Sequence, residues 1–465
     1  MKQNQVRLRL DRFLTRTLSG SVFSWQEILN LIIPGILDAI SITFIGVLIT
    51  ALISKHGETS VAATSLVGPI NNLVVCLFSG ISSGGTVIVA QCCGKKDSAL
   101  LKKSIGMTLW LTVGIGAAVC LPFLLMPSRI LHLLYPDAQS EVMAKACTFL
   151  TGSAWSNLIF TVYTACFAVL RGLGESRRCL ILSILINAAY LVFSILFLNI
   201  LHLDIKGSAA ALILARLLGA SVSVILLLAW RPPVRLRLRE LFVYDRSVLR
   251  ETLHISIPLG MEQICSSLGG IVAQMYMIYL GTTAIATQAI ANSLLSLLYA
   301  PASAACALTV TVVGRCIGAE KYEEAFLYGR RCNQIALILL SMTALVVFPL
   351  LPLLLKQYNP SPEAYISAQR LLYASLPALL LFWPSSNTLP NTLRAASDTV
   401  YPTVVSLGVL WLITIALGYS LAIPAGLGLW GVWIANWISW ALRDIGFMAR
   451  FRGRKWLHKS GLKLS

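Results

Sequence analysis

The chain has 465 residues, is 57% hydrophobic, is charged at only 12% of its positions and carries a net charge of +18. A soluble domain has about 25% charged residues, so a soluble enzyme or nucleic-acid-binding protein is excluded, and the positive excess is of the kind that orients membrane helices. The long apolar runs are continuous and lack the two-residue alternation of a membrane barrel, which leaves an all-α polytopic membrane protein.

Residues 1–24 form a basic arm with Arg7, Arg9, Arg12 and Arg16 among leucines, a pattern that predicts an interfacial amphipathic helix. No cleavable signal peptide is visible in it. Twelve spans follow, at 27–53, 61–90, 104–126, 142–170, 179–201, 208–230, 252–280, 285–313, 331–355, 364–390, 400–423 and 429–449. Each has roughly the 20 residues that crossing a bilayer takes. Counting Lys and Arg on alternate sides gives thirty against six, with Arg216 alone inside a span. That bias predicts a cell-membrane protein with both termini cytoplasmic.

The first span contains Ile33-Pro34-Gly35-Ile36-Leu37-Asp38, and the seventh contains Ile257-Pro258-Leu259-Gly260-Met261-Glu262. Proline and acid recur together at an offset of 224 residues. Glu27 and Glu251, Gly57 and Gly281, Gly94 and Gly318, Pro136 and Pro360, and Gly207 and Gly431 keep the same offset. Arg171 and Arg394 match after a one-residue slip. A constant offset over six spans indicates duplication. Six is an even number, so the two repeats should run parallel, as in many alternating-access carriers. The expected organisation is an N-lobe at 25–230, a basic linker at 231–250, a C-lobe at 251–450 and a basic tail at 451–465.

At 1.5 Å rise per residue, Asp38 lies roughly 15 Å into its span, near the middle of a ~30 Å apolar core. Glu262 has a similar depth. Acids at such depth are costly and are kept mainly for function. Burial favours their neutral form, so each can take a proton from one side and release it on the other, or attract a cation when ionised. Arg216 is a third deep charge, and its repeat mate is Trp440. Pairing with Asp38 or Glu262 is the expected way to satisfy it. Gln263, Gln274 and Gln288 are candidate cavity amides, and Tyr276 is a candidate wall for a cation. Asn71, Asn72, Asn157, Asn187, Asn292 and Asn436 read as interhelical glue. Trp430, Trp433, Trp437 and Trp440 share one helix face and read as packing or lipid contact. The five histidines and eleven cysteines show no metal-ligand spacing. No phosphate-binding GxxxxGK[ST] loop and no catalytic constellation appear, so neither an enzyme nor a bound cofactor is expected.

Several loops carry a resemblance. Gln91-Cys92-Cys93-Gly94-Lys95-Lys96 and Gly314-Arg315-Cys316-Ile317-Gly318-Ala319-Glu320 follow the second and eighth spans. The latter resembles the G-Q-x-x-G-A turn of the multidrug and toxin extrusion (MATE) family. Arg171-Gly172-Leu173-Gly174-Glu175-Ser176 resembles its R-G-x-G-D/E-T/S turn, and Arg394-Ala395-Ala396-Ser397-Asp398-Thr399 is a degraded copy. Pro258-Leu259-Gly260-Met261-Glu262-Gln263 is similar to the start of its seventh helix, and Leu427 to Ala435 to its entry into the twelfth. The resemblance spans residues 25–455. It implies twelve transmembrane helices in two parallel six-helix repeats and a monomeric exporter of cationic amphiphiles, driven by antiport with H⁺ or Na⁺. Many bacterial members carry an aspartate deeper in the first helix, where this chain has Ile49. A flippase for a lipid-linked precursor, from a related two-lobed family, is the alternative.

Overall fold

The computed structural model describes residues 20–53, 58–136, 139–229, 244–358 and 360–457, with the side chains of 43–62 outside that description. The helical arm expected at 1–24 therefore falls almost wholly outside the described residues. The chain runs as α1 (Trp25–Ile53), α2 (Glu58–Lys95), α3 (Ser98–Leu125), a short α4 (Pro127–Leu134), α5 (Ser140–Gly172), α6 (Ser176–Ser194) and α7 (Asp204–Leu228). The second half follows as α8 (Arg246–Met277), α9 (Thr282–Gly318), α10 (Tyr322–Gln357), α11 (Pro362–Ala395), α12 (Val400–Val409), α13 (Gly418–Ala422) and α14 (Leu429–Arg452). No strand occurs among the described residues.

Eleven of these helical runs are long and apolar enough to cross a bilayer. The twelfth expected span is present as α14, but its four tryptophans and the pair Arg443 and Asp444 make it the least apolar. The helices start and stop close to the expected spans and usually extend past them. The largest difference is α10, which begins at Tyr322 rather than 331, because Glu323, Glu324 and Arg330 continue the helix as a polar first turn. Likewise α8 begins at Arg246, inside the stretch expected as linker.

Local chemistry accounts for several of these starts. Ser24 and Glu27 form a reciprocal capping box at α1: Ser24 N–H donates to the Glu27 carboxylate at 2.8 Å, and Glu27 N–H to Ser24 Oγ at 3.3 Å. Asp97 caps α3 by accepting from Ala99 and Leu100 N–H. Asp245 caps α8 by accepting from Ser247 and Val248 N–H at 3.0 and 3.3 Å. Pro34 and Pro258 lie inside helices that continue through them. The fifth and eleventh spans each contain a π-helical run, Ile195–Ile200 and Leu410–Leu417.

The described residues pack as two compact units, one of those between 40 and 267, the other of 20–39 with those between 268 and 457. These differ from the lobes expected at 25–230 and 251–450: the first part of α1 packs with the second half of the sequence, and the first part of α8 with the first half. In the unit built on 268–457, Phe23, Ile28, Leu31 and Ile32 share a core with Leu308, Val312 and Val313 of α9 and Tyr328 of α10. A Cβ on Gly35 would stand 3.5 Å from the Ala304 methyl. In the unit built on 40–267, a Cβ on Gly80 would meet the Leu259 carbonyl at 2.8 Å and the Gly260 Cα at 2.9 Å. One turn further on, a Cβ on Gly84 would stand 2.9 Å from the Ser256 Cα, and the Ser256 hydroxyl donates to the Ile81 carbonyl at 2.9 Å. The pairs 35 with 304 and 259 with 80 are the same contact displaced by 224 residues.

The backbone repeats more faithfully than the side chains. Left-handed residues fall at Lys96 and Glu320, at Gly174 and Ser397, and at His202 and Gly426, matching positions of the two halves. The degraded copy after α11 keeps its turn. Gly174 N–H donates to the Arg171 carbonyl at 3.0 Å, and Ser397 N–H to the Arg394 carbonyl at 2.9 Å.

A clasp holds the entry to each of the two exchanged helices. Before α1, Ser21 and Val22 N–H both donate to a Glu324 carboxylate oxygen at 3.1 Å, and the Tyr328 hydroxyl donates to the Phe23 carbonyl at 3.1 Å. Before α8, at the position 224 residues on, Asp245 pairs with Lys103 of α3 at 3.0 Å. The basic tail expected from 451 is partly core: Trp456 and Leu457 are buried, and Trp456 stacks on Phe451. Residues 458–465 lie outside the described part.

Three substitutions test this packing. Gly80→Val forces α8 off α2 and is expected to destabilise the protein by about 1–3 kcal/mol. Gly68→Ala, with nothing within 4 Å of its Cβ, is expected to leave the melting temperature in detergent unchanged. Asp245→Ala removes a helix cap, a loss of about 0.5–2 kcal/mol. The Ser247 hydroxyl and the Lys103 ammonium hold the Asp245 carboxyl well below the usual carboxylate range. A depressed carboxylate contributes above its unfolded value of about 3.9 and stops contributing as pH falls through its folded value. The melting difference between wild type and Asp245→Ala is therefore constant at neutral pH and shrinks only below about pH 4.

Candidate functional site

Both deep acids are buried, Asp38 at 7% exposure and Glu262 at 9%. Each lies one helical turn beyond a contact between small residues of two helices. Asp38 follows Gly35, which meets Ala304, and Glu262 follows Leu259, whose carbonyl meets Gly80. Residues three apart share a helix face, so each acid sits on the face that packs, while the adjacent Leu37 and Met261 are exposed.

The seven residues singled out in the sequence divide between the units. Asp38, Gln274, Tyr276 and Gln288 belong to one, and Glu262, Gln263 and Arg216 to the other. Gln263 and Gln274 are exposed. Gln288 is engaged within its unit: its side-chain carbonyl accepts from the Trp433 indole N–H at 2.7 Å. Tyr276 is buried, edge-on to Tyr419 with ring centres 6.1 Å apart. Tyr279 is 80% exposed. Trp433 and Trp440 are core residues, whereas Trp430 faces outward.

Arg216 departs from its expected partner. Its guanidinium donates to the Asn157 side-chain carbonyl and lies 4.3 Å from the centre of the Phe160 ring. Tyr190 and Cys120 are the next groups in its field. Asn157 passes the contact on, donating from its amide to Asn71 at 3.0 Å. An amide oxygen and an aromatic face thus stand where a carboxylate was expected. Both ease the desolvation of a guanidinium, the ring through its quadrupole. Among the asparagines read as glue, Asn157 and Asn71 do join α5 to α2, whereas Asn187 bonds to Ser183 of its own helix at 2.8 Å.

Other polar groups were missed. Asp398 and Arg450 form a 2.8 Å ion pair with the aspartate 2% exposed, and Arg450 also lies over the Tyr401 ring. Arg443 and Asp444 sit half-buried inside α14, and their signal was two adjacent charges within an apolar run. Tyr190 lies three residues after Asn187 in another such run. Among the described residues no three of His, Cys, Asp and Glu gather as a metal site requires. The chemistry on offer is a carboxylate buried in each repeat and one guanidinium held by neutral groups.

The MatE family profile matches residues 34–198 and 258–420, two copies that begin at Pro34 and Pro258. An uncharacterised transporter of Bacillus subtilis, YisQ, is 25% identical over 90% of this chain and 91% of its own length. A probable multidrug resistance protein NorM of Thermotoga maritima is 22% identical over 93% of each chain. The structure of an outward-facing multidrug resistance MATE family transporter of the MOP superfamily superposes with a TM-score of 0.84 at 19% identity, covering 92% of this chain and 96% of that one. The fold is shared with these membrane proteins, the duplicated match covers both halves, and the chain belongs to the MatE family of multidrug transporters.

Proposed function

We propose that this protein exports cationic amphiphiles by alternating access, driven by antiport with H⁺ or Na⁺, with Asp38 and Glu262 as the coupling or substrate-binding carboxylates. The observation that carries the reading is the burial of one carboxylate in each repeat, at equivalent positions. Burial penalises the charged form of a carboxylate, so such a group favours the arrival of a proton or cation and releases it when water reaches the site. The Lys and Arg bias supports cytoplasmic termini, and the reading treats the chain as a working monomer.

Reconstituted vesicles loaded with ethidium and given either a proton or a sodium gradient test it directly. Wild type is expected to expel the dye under one gradient. Asp38→Asn and Glu262→Gln are each expected to slow gradient-driven efflux by about tenfold or more, equivalent to roughly 1.4 kcal/mol at the limiting step. Dye movement that ignores both gradients, or that survives loss of both acids, overturns the coupling role and favours flipping of a lipid-linked precursor.

A further inference from the structure

Arg216 is a cation in the middle of an apolar helix, and its partners among the described residues are all neutral. They are the Asn157 amide, the Phe160 ring and, in its electrostatic field, the Tyr190 hydroxyl and the Cys120 thiol. A guanidinium has five N–H donors in a planar fork. One of those donors is given to the Asn157 amide oxygen, and the guanidinium face lies on the Phe160 ring. Charges withdrawn from water are ordinarily matched by an opposite charge.

The surroundings are arranged for an anion. Ser194 and Ser208 flank the Tyr190 hydroxyl, and both serines are buried, as is Ser156 beside Asn157. Asn157 is itself fixed by Asn71, so the amide that orients the guanidinium is held from a second helix. Phe160 stacks on Tyr163 at 5.2 Å and Tyr163 on Phe167 at 5.7 Å, which stiffens the ring under Arg216. The cluster draws on α2, α3, α5, α6 and α7, all of one compact unit. Its repeat counterpart lacks the charge, because Trp440 stands at the matching position within an apolar core. A charge kept in one repeat only is not required by the shared backbone.

We propose that Arg216, with the Tyr190 hydroxyl beside it, binds the single anionic group of an amphiphile, so that the exported molecules include zwitterions whose carboxylate is recognised here. The proposal rests on the exporter reading above and adds a second recognition element to it. Guanidinium and carboxylate match in a two-point hydrogen-bonded geometry, which gives the site a preference for carboxylate over its ester.

Rhodamine B and its ethyl ester differ only at that carboxylate, and binding of each to the purified full chain is read by fluorescence anisotropy. Wild type is expected to bind the acid about tenfold or more tightly than the ester, a difference within reach of one charge-assisted contact. The acid-to-ester ratio is expected to fall to about one in Arg216→Met and to remain intermediate in Arg216→Lys, which keeps the charge but not the fork. An unchanged ratio in Arg216→Met overturns the proposal. Equal binding of the two dyes by wild type overturns it as well, even where Arg216→Met fails to fold, and leaves the exporter reading standing. Failure to bind either dye overturns the proposal, while the exporter reading stands or falls on ethidium efflux. Gradient-driven efflux from vesicles separates the sources of the anion. Selective loss of acid efflux in Arg216→Met assigns it to an exported molecule. A lost binding preference with efflux of the two dyes unaltered assigns the site to an anionic lipid head group.

Discussion

Two helices reach backbone contact only where side chains are absent or minimal, and in this protein that constraint sets the depth of Glu262, with small residues at the matching place beside Asp38. Within an apolar solvent, helices gain nothing from excluding water and associate through close packing. Gly80 and Gly84 let α8 lie against α2, while at the matching place Gly35 of α1 faces the Ala304 methyl of α9 across an ordinary van der Waals distance. A Cβ at Gly80 or Gly84 would run into the backbone of α8. Glu262 and Asp38, one turn beyond these contacts, are therefore held at set positions by residues with no chemistry of their own. The clasps at Ser21 and Asp245 pin the helix entries and complete the restraint.

Much of this was legible in the sequence. Apolar runs gave the helices within a few residues, and the 224-residue offset located the acids as a pair. The exchange of α1 and α8 between the packing units was not legible, because hydropathy reports that a helix is apolar and not which neighbour it meets. Gly80 and Gly84 were the available signal, small residues four apart, but many helices in this chain contain such pairs. The partner of Arg216 was also misread. An acid was the obvious counter-charge, whereas the structure supplies Asn157 and Phe160, whose ability to hold a guanidinium depends on orientation. Ser397 shows the reverse case. The sequence looked degraded there, yet the backbone keeps the left-handed turn of Gly174, since the hydrogen bond back to residue 394 stabilises it whichever side chain is present.

The duplication has been kept in backbone and abandoned in side-chain chemistry. One unit has a broad apolar core in which Trp383, Trp433 and Trp440 pack with leucines. The other threads an amide and a cation from Asn71 through Asn157 to Arg216. Each repeat nevertheless retains its acid. The buried acid is thus duplicated while the amide–guanidinium chain is not, a division that, under the roles proposed above, lets one half of a carrier change what it recognises without disturbing the other.

The two clasps differ in what holds them. At residue 21 two main-chain amides, present in every amino acid except proline, donate to Glu324 beside the Ser21 hydroxyl, so a mutation of Val22, or one of Ser21 that removes the hydroxyl, still leaves both amide bonds in place. At residue 245 the grip is an aspartate side chain that also caps its helix, and one nucleotide change can remove both at once. The entry to α1 is buffered against genetic drift and the entry to α8 is not. Among descendants of one duplicated gene, residue 245 should tolerate far fewer replacements than residue 21, although the two occupy the same place in the repeat.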